Sequence, residues 1–370
     1  MKRTTRWSVA LGVAMLLSLG LLGPVATATP TPSPAAASAQ RDLVEIPAKA
    51  AVRQAVPPSE CDPNTLLGVY VDELIGNMTD EQLTFLLAHV DTLLDVPTYD
   101  ALFFGTAGDP DYALTSHARQ LQNTFRDLQG FWSDIESDDI QLIAMHGDVL
   151  LDADRIAATL SAMVELGVID PMTPAEIAVE AQTVADFMQA QGDFYNNPLW
   201  TLNAFAFSGE GESDPELAAL PDRIVFGDGI LVAYDALGLG DVGPRVIMAH
   251  EFAHHVQIEL GVFESGPTDP AEATRRTELM ADAMAAYFGV HKKGLALNKK
   301  RVIDALLSFY TVGDCQFASP GHHGTPLQRQ RAAAWGADLA AAARPQSYVL
   351  PAATFVDLFD AALPDIISGS

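Results

Sequence analysis

The sequence predicts an α+β fold that is mostly α, with a small sheet near the middle of the chain. Apolar residues recur at helical spacing through 62–195, whereas strand-like runs stand out only at 201–207 and 223–226. Helix punctuation downstream is explicit. Pro244 at a first-turn position and Gly261 past the end bound a helix at 244–260. Asp269 as a cap, Pro270, Glu272 to complete a capping box and Gly294 beyond the end bound another at 270–292.

Taken in order, residues 1–28 form a signal peptide. Lys2, Arg3 and Arg6 make its positive start, 9–22 is apolar, and Ala26, Thr27 and Ala28 fit a small-residue cleavage site. The apolar run is short for a span of about 20 residues, and no cysteine follows directly to carry a lipid. The expected location is therefore secreted, extracellular or in the cell envelope, with no membrane anchor after cleavage. Residues 29–60 make a Pro/Ala-rich linker.

Residues 61–195 are expected to form a helical accessory region, with helices at 66–75, 80–94, 112–131, 151–166 and 174–191. Thr79 and Thr173-Pro174 mark helix starts, and 105–111 and 167–172 are connecting loops. Asp152 and Asp154 alternate as in a calcium loop, but the glycine and terminal glutamate are missing, so they read as a helix start. The role of this half stays open between a packing unit, a substrate-selecting lid and an inhibitory pro-segment.

A core at 196–345 follows. Its two strand candidates are joined by the acidic loop 208–220, and further helices are expected at 298–310 and 326–343. The edge of the sheet is placed at Ile224, Val225 and Phe226, where a peptide could bind by strand addition. Residues 346–370 form a C-terminal segment.

Composition narrows the partners. With 48 acidic against 21 basic residues and a net charge of −27, nucleic acid and anionic membrane surfaces are repelled. Two cysteines, Cys61 and Cys315, are an even pair in an exported chain and predict one disulfide; the alternative is two buried thiols.

The chemistry concentrates in His250-Glu251-Phe252-Ala253-His254 and the later Glu278 and Asp282. On a helix, His250 and His254 stand one turn apart on one face, and Glu251 is offset by about 100°. Glu278 and Asp282 also share a face, amid the apolar run 279–286, where two carboxylates are costly unless neutralised. Two imidazoles and Glu278 suit Zn²⁺ with one position left open, and Asp282 suits the spare N–H of His250. Such a site acidifies a water whose proton Glu251 can take, the chemistry of amide hydrolysis. Among the other histidines, His255 reads as packing or as support behind the ligands, and His291 suits the dipole at a helix end. His89, His117 and His146 lie far from any ligand spacing and read as structural or solvated.

Residues 249–257, Ala-His-Glu-Phe-Ala-His-His-Val-Gln, resemble the active helix of bacterial neutral zinc metallopeptidases, and the histidine pair followed by Glu278 and Asp282 resembles the gluzincin clan. The order of 203–206 (Asn-Ala-Phe-Ala), 224–231 and the histidine helix is similar to the compact HtpX-like, prenyl-protease-like and minigluzincin peptidases. The resemblance covers roughly residues 195–340. It implies a zincin-like core in which His250, His254 and Glu278 hold zinc, Glu251 is the base and Asp282 supports a ligand. The segment His323-Gly-Thr-Pro-Leu-Gln-Arg329 resembles one that brings a histidine and an arginine toward the site. On that basis His323 donates to the oxyanion; a loop histidine bonded to backbone is the alternative, and His322 leaves the choice of residue open. Arg329 either approaches the site or pairs with an acidic neighbour to hold that loop. HtpX-like and prenyl-protease-like enzymes are built into membranes, and this chain carries no spanning run after its amino terminus.

The expected function is a secreted zinc peptidase with a peptide or protein substrate. Two alternatives remain at this stage: a non-catalytic zinc-containing binding protein of the cell envelope, and a zinc hydrolase of non-peptide amides.

Overall fold

The computed structural model describes residues 66–310 and 324–368. In chain order they form α1 (Leu66–Gly76), α2 (Asp80–Phe104), α3 (Ala118–Phe131), β1 (Gln141–Met145), α4 (Ala153–Glu165), α5 (Pro174–Ala190), β2 (Ala204–Phe207), α6 (Pro215–Ala218), β3 (Arg223–Gly227), α7 (Asp228–Ala236), α8 (Gly243–Glu259), α9 (Pro270–Val290), α10 (Lys299–Tyr310), α11 (Pro326–Ala342) and α12 (Ala352–Ser368). The fold is mostly α with one small sheet, as the sequence predicts. No helix among the described residues is long and apolar enough to cross a membrane.

Caps set the helix starts. Thr79, Thr173 and Thr325 each accept from the backbone N–H three residues on, and Gln82, Glu176 and Gln328 reach back to complete capping boxes. Asp152 caps α4, as expected, through Asp154 N and Arg155 N. At α9 Asp269 accepts from Glu272 N, but the Glu272 carboxylate pairs with Arg275, so the expected reciprocal box gives way to a side-chain ion pair. Helix α2 runs ten residues past its expected end at 94, through Pro97. Residues 93–102 are all buried, and that packing outweighs the roughly 3 kcal/mol an internal proline costs.

The sheet differs most from expectation. Its order is β1-β3-β2, with β3 parallel to β1 and antiparallel to β2. Ile224, Val225 and Phe226 therefore do not form an edge: they lie in the central strand, paired on both sides and 0% exposed. An all-apolar run of this kind is what a strand buried on both faces requires, and that composition argued against an edge from the start. The edges are β1 and β2. The segment 61–195 is not helical throughout either, since it supplies β1. That strand has a single β-branched residue, Ile143, and its extended state comes from pairing with β3 rather than from propensity.

Arg223 on β3 is buried, and its guanidinium donates to the carbonyls of Pro221, Ala101 and Leu102. The last two lie in the final turn of α2, where orphan carbonyls and the negative end of the helix dipole favour a cation. The aromatic core spans both halves of the chain, with Phe131 and Trp132 packed on Tyr287, and Trp132 and Trp335 on Phe355. Helix α12, within what the sequence marked only as a C-terminal segment, contributes Phe355 and Phe359 to this cluster and Asp360 to an ion pair with Arg276.

Helices α9 and α11 meet closely at Gly336, where an added Cβ would stand 2.0 Å from the carbonyl oxygen of Ala283. Gly336→Ala gains about 1 kcal/mol of helix propensity but overpacks this contact at a cost of about 1–3 kcal/mol. The expected outcome is a lower thermal midpoint, falling further with Gly336→Val. An unchanged midpoint in both variants would show that the two helices separate freely.

His146, which follows β1, places Nδ1 2.6 Å from Asp228 Oδ2 and Nε2 3.1 Å from the Ala113 carbonyl. Both partners accept, so the imidazolium satisfies both. Burial opposes its charging, but Asp228 more than offsets that and raises the pKa above 6.5. This stabilisation is complete below the unfolded pKa and is lost as pH rises through the higher folded pKa. Thermal midpoints should decline as pH rises above 6.5, and His146→Gln should flatten that slope; an equal slope in the variant would assign it to other groups.

Candidate metal centre

The site lies where α8 and α9 face each other. The chain leaves α8 through Gly261 (φ +64°), which reverses its direction with no side chain to strain. Val262 N–H returns to Gln257 O at 2.9 Å, and Val262 is buried. Arg276 on α9 clamps this turn by donating to Val262 O at 2.9 Å while pairing with Asp360.

Three side chains converge on one point. His250 Nε2 and His254 Nε2 are 3.1 Å apart. Glu278 places Oε2 3.4 Å from His250 Nε2 and Oε1 3.4 Å from His254 Nε2. The three donor atoms lie within 4.8 Å of one another, so this group could hold a metal ion. Each ligand is oriented from behind. His250 Nδ1 lies 3.1 Å from Asp282 Oδ1, which leaves Nε2 as the donor facing the centre. Arg329 grips Asp282 with two bonds, Nε to Oδ2 at 2.7 Å and Nη2 to Oδ1 at 3.0 Å, and reaches Glu278 Oε2 at 3.3 Å. Glu251 is buried on α8 beside the first histidine.

The donor set fits a divalent cation. Two carboxylates, Glu278 and Asp282, stand against His250 and share the one guanidinium of Arg329. Protonation shows the same demand. Burial opposes charging His250, yet Asp282 and Glu278 more than offset it and raise its pKa to about 9. Desolvation instead lowers His254 to about 4. The proton on His250 thus supplies a positive charge that a cation would replace.

Of the residues singled out by sequence, His250, His254, Glu278, Asp282 and Arg329 come together, and Glu251 is buried next to His250 on α8. Arg329 is part of the site itself, with two of its bonds to Asp282. Ile224, Val225 and Phe226 sit mid-sheet and offer no free backbone to a ligand; β2 is the edge strand packed on α8. His323, His322, Cys61 and Cys315 lie outside the described residues, as do the signal peptide and linker. His255 bonds the Arg223 carbonyl and pairs with Asp222, tying α8 to the sheet. His291 accepts from Lys293 N at Nδ1 and bonds Tyr348 O through Nε2, so its neutral form satisfies the helix end and the dipole needs no charge there. His89 and His117 pair with Glu180 and Asp235, away from the centre.

Gln257 was missed. It is fully buried, donates Nε2 to Thr277 O at 2.8 Å and so turns Oε1 to His254 Nδ1 at 3.1 Å. This fixes the proton of His254 on Nδ1 and bonds the support of the second ligand to the backbone just before the third. Its position three residues after His254, on a neighbouring face of the same helix, was the available signal.

Compared with known proteins, the chain matches no family model, no curated protein and no solved structure.

Gln257→Ala should weaken metal binding about 10–100-fold, the usual cost of removing such a support. Titration with a competing chelator measures this; equal affinity in the alanine variant would make Gln257 a core residue only.

Proposed function

We propose that this chain is a zinc-dependent peptidase that acts after export. The observation that carries the reading is the convergence of His250, His254 and Glu278 on one point, with Glu251 on the same helix as the histidines. Two imidazole nitrogens and one carboxylate suit Zn²⁺ with an open position. A structural site is normally closed by four protein ligands and has no use for a neighbouring carboxylate, so the set favours catalysis over the binding-protein alternative.

Bound there, the ion supplies Lewis acidity to a carbonyl and to a water. The residues of the chain do the rest. Glu251 accepts a proton from the attacking water on its carboxylate oxygen and later delivers it to the nitrogen of the leaving amine. Asp282, held by Arg329, keeps His250 Nδ1 protonated and the ring fixed. Gln257 does the same for His254.

The substrate approach is read from β2. Gly227 N–H donates to Asn203 O at 2.9 Å, and the antiparallel register pairs Phe205 with Val225. By alternation Ala204 and Ala206 turn their N–H and C=O groups away from β3. An extended peptide pairing on that side is the arrangement that would favour peptides over other amides.

Glu251→Gln should keep one metal per chain and lower turnover of a peptide substrate by about 10²–10⁴-fold. Glu278→Ala should instead lower metal stoichiometry. Undiminished turnover in Glu251→Gln would overturn the mechanism, and undiminished metal content in Glu278→Ala would overturn the ligand set.

A further inference from the structure

Phe263 is 51% exposed, and its ring centroid lies 6.4 Å from that of His254, tilted by 40°. Single exposed apolar side chains are ordinary on protein surfaces; this one is distinguished by where it is fixed. Its backbone is held from three directions. Gly261 turns the chain and Val262 anchors it in the core. Arg276 binds the Val262 carbonyl, and Ser265 Oγ donates to the same oxygen at 3.2 Å. Glu264 N–H closes the turn on Gly261 O at 3.2 Å.

The backbone of Phe263 is thus placed by its neighbours, and its half-exposed ring leaves apolar surface in water. His254, the ligand beside it, is itself 16% exposed at its side chain. A half-exposed aromatic ring thus stands beside His254, the more accessible of the two histidines.

We infer that Phe263 is a specificity-determining residue: its ring forms one wall of a subsite for an apolar side chain flanking the scissile amide, so the preferred substrates are peptides with an aromatic or large aliphatic residue there. This rests on the peptidase reading. The ring contributes by removing apolar surface of the substrate from water, and it adds nothing for a glycine or alanine at the same place.

The test compares two hydroxamates, one bearing a benzyl and one a methyl side chain, binding to the zinc-loaded full chain of wild type, Phe263→Ala and Phe263→Leu. Wild type should bind the benzyl compound about tenfold more tightly. Phe263→Ala should lose that advantage, Phe263→Leu should keep most of it, and metal content should be equal in all three. Benzyl preference unchanged in Phe263→Ala, or absent from wild type, overturns the inference while leaving the metal centre standing. Zinc that fails to bind to wild type overturns the peptidase reading, and this inference with it. A series of peptides differing only at one flanking residue provides the kinetic counterpart, with the kcat/KM advantage of phenylalanine over alanine disappearing in Phe263→Ala.

Discussion

A guanidinium buried between two helices organises this molecule. Arg329, on α11, closes two bonds on Asp282 and a longer one on Glu278, both on α9. Removing one member of such a pair leaves an unpaired buried charge, at a cost of about 3–5 kcal/mol. The pair also transmits orientation. Asp282, fixed by the arginine, meets His250 Nδ1 and so decides which nitrogen of that ring faces the centre. One residue on α11 thereby reaches His250 on α8 through a carboxylate on α9.

That reach depends on how closely the helices pack. Helix α9 is small-sided where it is covered, with Ala281, Ala283, Ala285 and Ala286 all buried, and Gly336 lets α11 settle onto Ala283. On its other flank, the turn through Gly261 and the bond from Gln257 to Thr277 hold α8 against α9. Charged groups at the centre are thus surrounded by apolar contacts, which lowers the local dielectric and strengthens each electrostatic effect. The raised pKa of His250 and the lowered pKa of His254 express that environment in opposite directions because only His250 stands against two carboxylates.

What could be read from the sequence was local. Caps at Thr79, Thr173 and Asp269, prolines at 244 and 270 and the histidine spacing all act within a turn or two, and the helix starts they mark stand within a few residues of expectation, whereas the end of α2, set by packing, does not. The pairing of Asp282 with His250 was also within reach, because each helix had already shown which face its charges share. The rest required knowing what lies across a gap. Strand β1 gains its extended state from β3, more than seventy residues later in the chain, and the apolar run 224–226 became central instead of peripheral once that partner was present. The share of Arg329 in the centre, as opposed to a mere loop contact, depends on the depth to which Gly336 admits its helix.

The same strand pairing bears on how the two halves of the chain relate. Strand β1 belongs to the amino-terminal half, and β3 runs directly into α7 and then toward the histidine helix. Were the first half excised by proteolysis, the central strand would lose a whole ladder of hydrogen bonds from 223 to 227, and Arg223 would lose the carbonyls of α2 that hold it. A bare apolar strand of that kind recruits other chains. The amino-terminal half is therefore built as an integral wall of the unit that carries the candidate metal centre, not as a removable cover, and any cleavage that leaves this sheet whole belongs upstream of α1.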